Sequence, residues 1–390
     1  MPWSRTSIGH ACLVAFLLLQ GIAAAAAPDP ALVERLAASP GAASALSSQC
    51  SPPPGGADGR DKIAEQAIEQ FPDYDAPTRR VTGTIRLWGH GSAKRDFMGD
   101  LVRAWIEAFH RRQPDVRFDY RMYGTASAVG ALYTGAGDIA LLGEEISPAA
   151  ARAFRRAKGY APTEIEVATG SVDTNYFDYA HMIFVHADNP VECLSLRQLD
   201  AIFGEQHKRG DRNIRDWSQL GLGDDWARHR ITPYSWKTDE DFGLFFRERV
   251  LENSHRWNPD VREYVHGTHA DGSQCDQGQR ILDALAEDRY GIAISNVRYA
   301  RPGVKAVALA WQDGGPWTHA TTSSLIDRSY PLVRIIPAIV DQPPGRKLAP
   351  AIEEFLRFVL SREGQSLLVE HSDYLPLNRR ARDTQIGKLK

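Results

Sequence analysis

Three observations predict an α/β chain. Short apolar runs alternate with segments of helical spacing, the connections between them are short, and small-residue or capping turns stand where a run gives way to a helix. The 390 residues suit two domains with a substantial core. Apolar content is 43% and the formal net charge −3, which excludes the basic bias of a nucleic-acid binder.

The N-terminus is a separate matter. Arg5 precedes the apolar run Ala11 to Leu19, followed by Gly21, the small residues Ala23 to Ala27, and Pro28. Basic start, apolar middle and small-residue end are the pattern of a secretory signal peptide, residues 1–27. The run is short for a membrane span and no later stretch is long and apolar enough to be one. Cys12 lies within the run rather than after it, which argues against a lipid anchor. The expectation is an exported, soluble mature chain. Residues 28–81 read as an extension: a short helix at Leu32 to Leu36, linker composition from Ser51 to Gly59, and a helix over Ile63 to Phe71, together a tether or a packed flap. Three cysteines survive cleavage, Cys50, Cys193 and Cys275. They make no metal cluster, and either Cys193 and Cys275 pair or all three are free.

From Thr82 the elements follow in order. Thr84 to Trp88 is a strand, broken by Gly89 and Gly91, and Ser92 is placed to cap a helix at 94–111 whose buried face carries Phe97, Leu101, Val102, Trp105, Ile106 and Phe109. A glycine turn into a helix offers orphan amides to an anion, or is simply a tight connection. Its spacing is neither a dinucleotide fingerprint nor a Walker loop. Val116, Phe118 and Tyr120 alternate as a strand. Gly124-Thr125-Ala126-Ser127-Ala128 enters a short helix stopped by Gly135-Ala136-Gly137. A buried strand at 138–143 ends in Glu144-Glu145, and Ser147-Pro148 opens a helix at 148–158.

Strands follow at 165–168 and 181–186, then a helix at 194–203 that starts at Ser195 and ends at Gly204, with Trp217 packed in a loop. A short strand at 231–234 leads through Trp236 to Asp241 into an aromatic-rich helix from Phe242. A helix at 274–286 precedes the strand 291–296. Further strands are expected at 304–309 and 332–336, and helices at 348–361 and 362–369. The polar tail 378–390 is expected to fray. In this class ligands sit at the carboxyl ends of strands. The turns at 89–92 and 124–128 and the acids 144–145 all fall there.

The order of these landmarks resembles the PstS-like phosphate-binding proteins, type II solute-binding proteins of ABC importers. Gly89-His90-Gly91-Ser92-Ala93 is similar to that family's first turn, and Gly124 to Ala128 to its second. Gly137-Asp138-Ile139-Ala140 is similar to the following strand. The most specific likeness is His181 to Pro190 with Leu194-Ser195-Leu196 and Ala201-Ile202-Phe203-Gly204; Trp217 and Gly291 to Ile294 extend it. The likeness covers about 84–377. It implies two α/β lobes with two crossing hinge segments: lobe one at 82–180 plus 296–378, lobe two at 187–290, hinges at 181–186 and 291–295, and a tail at 379–390. It also implies a periplasmic protein that closes on a small polar solute, phosphate or another oxyanion, and delivers it to an ABC permease, without cofactor or metal.

The resemblance also locates departures. Where phosphate binders end the third strand in Ser-Asp, this chain has Gly143-Glu144-Glu145. Where they carry Arg-x-Asp-x-Ser-Gly-Thr, it has Tyr234-Ser235-Trp236-Lys237-Thr238-Asp239-Glu240. Two acids at that turn oppose an anion in a desolvated cleft. The candidate ligand-binding set is therefore Gly91, Ser92, Ala93, Thr125, Ser127, Glu144, Ser235, Trp236, Lys237 and Thr238. Trp88, Trp236 and Tyr234 are candidate aromatic walls, and Trp236 is alternatively interlobe packing. His90, His181 and His186 make a poor metal set, because residues five apart in a strand face opposite sides. No elbow serine, His-Glu-x-x-His or Cys-x-x-Cys argues for an enzyme. The alternative to a solute binder is an interaction or scaffold protein whose cleft is filled by its own aromatic side chains.

Overall fold

A computed structural model describes residues 57–77, 80–90, 98–172, 180–210, 212–268, 272 and 274–389. The signal-peptide segment 1–27, the helix expected at 32–36, and the site candidates Gly91, Ser92 and Ala93 lie outside them.

The first part of the chain builds α1 (Ala57–Ile68), β1 (Gly83–Gly89), α2 (Gly99–Arg112), β2 (Val116–Arg121), α3 (Thr125–Thr134), β3 (Ile139–Leu141), α4 (Pro148–Lys158) and β4 (Thr163–Thr169). The middle builds β5 (Met182–His186), β6 (Cys193–Ser195), α5 (Leu196–Phe203), β7 (Thr232–Trp236), α6 (Asp241–Arg249), β8 (Arg262–Tyr264), β9 (Gly267–Thr268) and β10 (Gln274–Cys275). It continues with α7 (Gln277–Ala286), β11 (Gly291–Ser295), β12 (Val304–Ala306), β13 (Ala308–Ala310) and α8 (Thr322–Ile326). The chain then returns with β14 (Ile335–Val340), α9 (Pro350–Val359), α10 (Arg362–His371) and α11 (Arg379–Lys388).

Capping residues fix several boundaries as the sequence predicts. Ser147 accepts the Ala150 amide with Pro148 in the first turn of α4, and Gly159 closes that helix in the left-handed region at φ 86°. Ser195 and Gln198 form a reciprocal capping box on α5. Helix α2 departs from expectation. It begins at Gly99 with Met98 at the cap position and no side-chain cap, so Ser92 is not its cap.

Two five-stranded sheets result, in the orders β2-β1-β3-β14-β4 and β12-β5-β11-β7-β8. In the first, β1 is parallel to β2 and β3, while β14 runs antiparallel between β3 and β4. In the second, β11, β7 and β8 are parallel and β5 is antiparallel to β11. Each sheet has its own core. One is built around Ile85, Trp105, Phe109, Ile165 and Phe358, the other around Phe184, Phe203, Trp217, Phe246 and Ile294.

The segments 181–186 and 291–295, expected as hinges, are largely strands: β5 and β11 pair with each other inside the second sheet. The reason is their apolar content; Ile183, Phe184, Val185, Ile292, Ala293 and Ile294 are all buried in the second core. That core also runs on to Leu325, Tyr330, Leu332 and Val333. After β4 and just before β14 the two sheets meet: the Gly170 amide donates to the Arg334 carbonyl at 3.0 Å and the His181 amide to the Leu332 carbonyl at 3.1 Å. The strand expected at 304–309 divides at Val307, with β12 on β5 and β13 on β6.

Three further expectations change. The tail does not fray: Asn378 caps α11, Leu389 is fully buried, and the Lys388 ammonium donates to the Glu164 carbonyl at 2.7 Å. Cys193 is a free thiol, so it does not pair with Cys275. Ala57 to Gly59, read as linker, already belongs to α1, and described residues of the extension beyond it are packed. Ile68, Phe71 and Tyr74 enter the first core while Ala67 packs on the second, and α1 lies against both α10 and α8. The Arg60 guanidinium donates to the carbonyls of Ser372 and Tyr374. The Arg362 amide donates to the Pro72 carbonyl at 2.9 Å.

Candidate functional site

The carboxyl ends of β1, β3 and β7 supply the two turn walls expected to face a ligand. On the first-sheet side the Gly124 amide donates to the Gly89 carbonyl at 3.0 Å, which joins the two glycine turns. His90 Nδ1 and Thr125 Oγ1 share a hydrogen bond of 3.1 Å. Gly143 lies flat against the His90 ring, where a Cβ would approach the imidazole to 2.6 Å; only glycine fits there. Thr125, Glu144 and the end of the first strand are thus brought together. Ser127 is exposed and donates its hydroxyl back to the Gly124 carbonyl at 2.8 Å. Trp88 stands beside Tyr123 and under the Arg121 guanidinium rather than over an open cleft.

On the second-sheet side the donors are already engaged. The Lys237 ammonium lies 3.2 Å from Asp239 and 3.0 Å from Glu240. The Thr238 amide donates to Glu263 Oε1 at 2.9 Å, and its hydroxyl donates to the same oxygen. A carboxylate of the protein thus sits on the amide just ahead of α6, the type of position an incoming anion uses. Ser235 is fully buried with its Oγ lacking a partner among the described residues, and strand alternation puts it on the opposite face from Trp236. The Tyr234 hydroxyl donates to Asp288 at 2.8 Å and forms no ligand wall.

Between these walls lies a cluster the sequence reading did not assemble. Arg334, only 2% exposed, donates from Nε to Glu145 Oε2 at 2.7 Å and lies 3.5 Å from Glu144 Oε2. Glu145 Oε1 also accepts the Ile335 amide at 2.8 Å. Arg334 Nη1 donates to His181 Nε2 at 3.1 Å. Arginine only donates, so the His181 proton resides on Nδ1, a buried atom with no acceptor among the described residues. Burial first, and the Arg334 charge second, hold the His181 pKa well below the usual histidine range, so this imidazole is neutral. Aromatic rings enclose the pair: the Phe245 ring is 4.6 Å from the guanidinium carbon, and Trp236, Phe242 and Phe245 surround the imidazole at 4.9, 5.3 and 4.7 Å between centroids.

The space left beside Arg334, Glu144, Glu145 and Phe245 is about 20 Å3. That admits roughly one water. One signal for Arg334 was present in the sequence, a lone charge inside the apolar run Leu332-Val333-Arg334-Ile335-Ile336. A larger concavity of about 1050 Å3 lies elsewhere, between α1, α2 and α10, with Arg60 paired to Asp61 and Arg103 to Asp100 along its wall. Among the described residues no group of three or more His, Cys, Asp or Glu is placed to hold a metal. No described helix is long and apolar enough to cross a membrane.

A family model described as a PBP superfamily domain matches residues 96–363, more than half of the chain, with strands of both sheets. The chain belongs to the PBP superfamily. Its two sheets, each with an antiparallel strand set into a parallel core, are the type II periplasmic-binding architecture. A relative within that superfamily is the phosphate-binding protein PstS of Pseudomonas aeruginosa, 28% identical over 321 residues, covering 82% of this chain and 90% of the relative. Similar solved structures include PstS from Borrelia burgdorferi, 12% identical with a TM-score of 0.47, covering 76% of this chain and 99% of that one. Another is a possible phosphate-binding protein from Planctomyces limnophilus, 18% identical with a TM-score of 0.43, covering 79% and 98%.

Proposed function

We propose that this PBP-superfamily chain is an exported solute-binding protein whose lobes close on a small oxyanion for delivery to an ABC importer. The observation that carries the reading is that Arg334, Thr238 and Lys237 each already hold a carboxylate. Glu145 and Glu144 sit on Arg334, Glu263 on the Thr238 amide and hydroxyl, and Asp239 and Glu240 on Lys237. Donors arranged for carboxylate oxygens suit phosphate and related oxyanions as well. The P. aeruginosa relative, named as a phosphate-binding protein, supports the same class of solute. The N-terminal pattern from Arg5 to Pro28 supports export to the periplasm. The solute exchanges with internal carboxylates, and closing is driven by contacts that only the closed arrangement provides.

Isothermal titration of the mature chain with phosphate, sulfate and small organic acids tests this. A saturable response is expected. Thr238→Ala should weaken it and Glu263→Gln, which removes the competing carboxylate, should strengthen it about tenfold. Unchanged affinity in both variants would defeat the assignment of this site. A second reading is favoured by one observation: Arg334, His181, Trp236, Phe242 and Phe245 fill the boundary, as an interaction or scaffold protein would have it. Absence of any saturable solute selects that reading.

A further inference from the structure

A second cavity, of about 590 Å3, shares no lining residue with the two turn walls. Its walls come from both cores. Glu166 of β4, Ile335 of β14 and Arg380 of α11 face Arg249 of α6 together with Trp311 and Arg328. The volume lies in the range of small-molecule sites.

Its polar groups are incomplete as they stand. The Arg328 Nη2 donates to Glu166 at 3.3 Å, but Nη1 is buried with no hydrogen-bond acceptor among the described residues. The Arg249 guanidinium lies 5.7 Å from the Phe245 ring centre and 5.8 Å from that of Trp311. Among the described residues neither Arg249 nor Arg380 has a carboxylate partner. Arg379 and Asp327, also on the lining, offset each other in charge. The lining therefore carries an excess of positive charge, which suits an anionic ligand. Burial, the larger cause, lowers the Arg328 pKa, and the nearby Arg249 adds to it.

Trp311 completes the site. Its ring is 44% exposed, yet it is held in place by an Nε1 bond to the Ser329 carbonyl at 3.1 Å. A fixed, half-exposed indole beside unpaired guanidinium groups offers a stacking surface next to an anion seat. We infer that this cavity is a binding site for a small anion carrying a flat ring, an aryl carboxylate or aryl phosphate, with the anionic group on Arg328 and Arg380 and the ring on Trp311. Because both cores line it, such a ligand favours the arrangement that keeps them together. The neighbouring cavity of about 380 Å3 shares Arg249, Trp311 and Ile335 and reaches Glu145, which grips Arg334.

The test is isothermal titration of the full chain with phenyl phosphate and benzoate as probes, and inorganic phosphate and acetate as ring-free controls. The ring-bearing probes should bind saturably with Kd below about 1 mM. Trp311→Ala and Arg380→Gln, both at exposed positions, should each weaken them about tenfold, while Thr238→Ala leaves them unchanged. No saturable binding overturns the inference. So do ring-free anions that displace the ring-bearing probes equally well, affinity that survives both variants, and affinity lost only in Thr238→Ala. That last result would move the probe to the solute cleft and leave the proposed function standing.

Discussion

Replacing Arg334 by methionine keeps much of the side-chain volume and deletes the charge at the centre of the lobe boundary. Removing one member of a buried ion pair costs about 3–5 kcal/mol, because the other charge is left without compensation. Glu145 is 19% exposed on its side chain and keeps the Ile335 amide, so the lower end, about 3 kcal/mol, is expected. For a protein of this size that corresponds to a fall in Tm of about 4 °C. The partition is checked with Glu145→Gln and the double variant, whose coupling energy should be about 2 kcal/mol. Because Arg334 is buried, the loss should persist at about 1 M salt, where exposed pairs are screened over about 3 Å. Urea unfolding followed by tryptophan fluorescence and by circular dichroism measures it, and agreement of the two probes licenses a single free energy. A variant within about 1 kcal/mol of the parent, or a coupling near zero, would refute the view that this pair locks the boundary.

Histidine 181 gives a pH signature. Its folded pKa lies below the ordinary value of about 6.5, so the unfolded chain takes up a proton before the folded one does. The stability it contributes is complete above that value and is lost as pH falls below it, at up to about 1.4 kcal/mol per pH unit. His181→Gln should flatten that part of a Tm-against-pH curve, and an unchanged slope would count against a buried neutral imidazole. Gly364 of α10 has no room for a side chain: a Cβ would lie 2.2 Å from the Phe358 carbonyl oxygen. Gly364→Ala should therefore destabilise by about 2 kcal/mol or more in the same urea assay. Asn378 both caps α11 and donates from its side chain to the Ile326 carbonyl at 2.7 Å. Asn378→Ala should cost about 1–2 kcal/mol and raise hydrogen exchange across α11.

Much of the fold was legible in periodicity and caps. Ser147-Pro148, the Ser195 box and the alternation of Val116, Phe118 and Tyr120 act over a few residues, and the elements formed where those signals stood. Boundaries set at long range were not legible. Residues 181–186 read as a hinge from a family likeness, yet their pairing with β11 places them inside a sheet. The tail 378–390 looks polar, but Asn378 and Leu389 find partners far back in the chain. For the site, Thr125 and Glu144 were legible as strand-end residues. The roles of Glu263 and Arg334 were not, because each acts on a residue well removed in sequence, Thr238 and Glu145. Ser235 and Trp236 alternate faces along β7, both buried.

The α1 segment and the residues after it belong to both halves of the molecule at once. A two-lobed protein opens by rotating one half away, but here Ala67 rests on one core while Ile68, Phe71 and Tyr74 are sunk in the other. Rotation must peel the strap from α8 or drag it out of the first core, and the buried rings of Phe71 and Tyr74 make the second course the harder one. The strap thus behaves as a seat belt with a fixed anchor and a yielding end. Parting the halves thus has to break the small contacts of Ala67 and α8 while Phe71 and Tyr74 keep the other end in place.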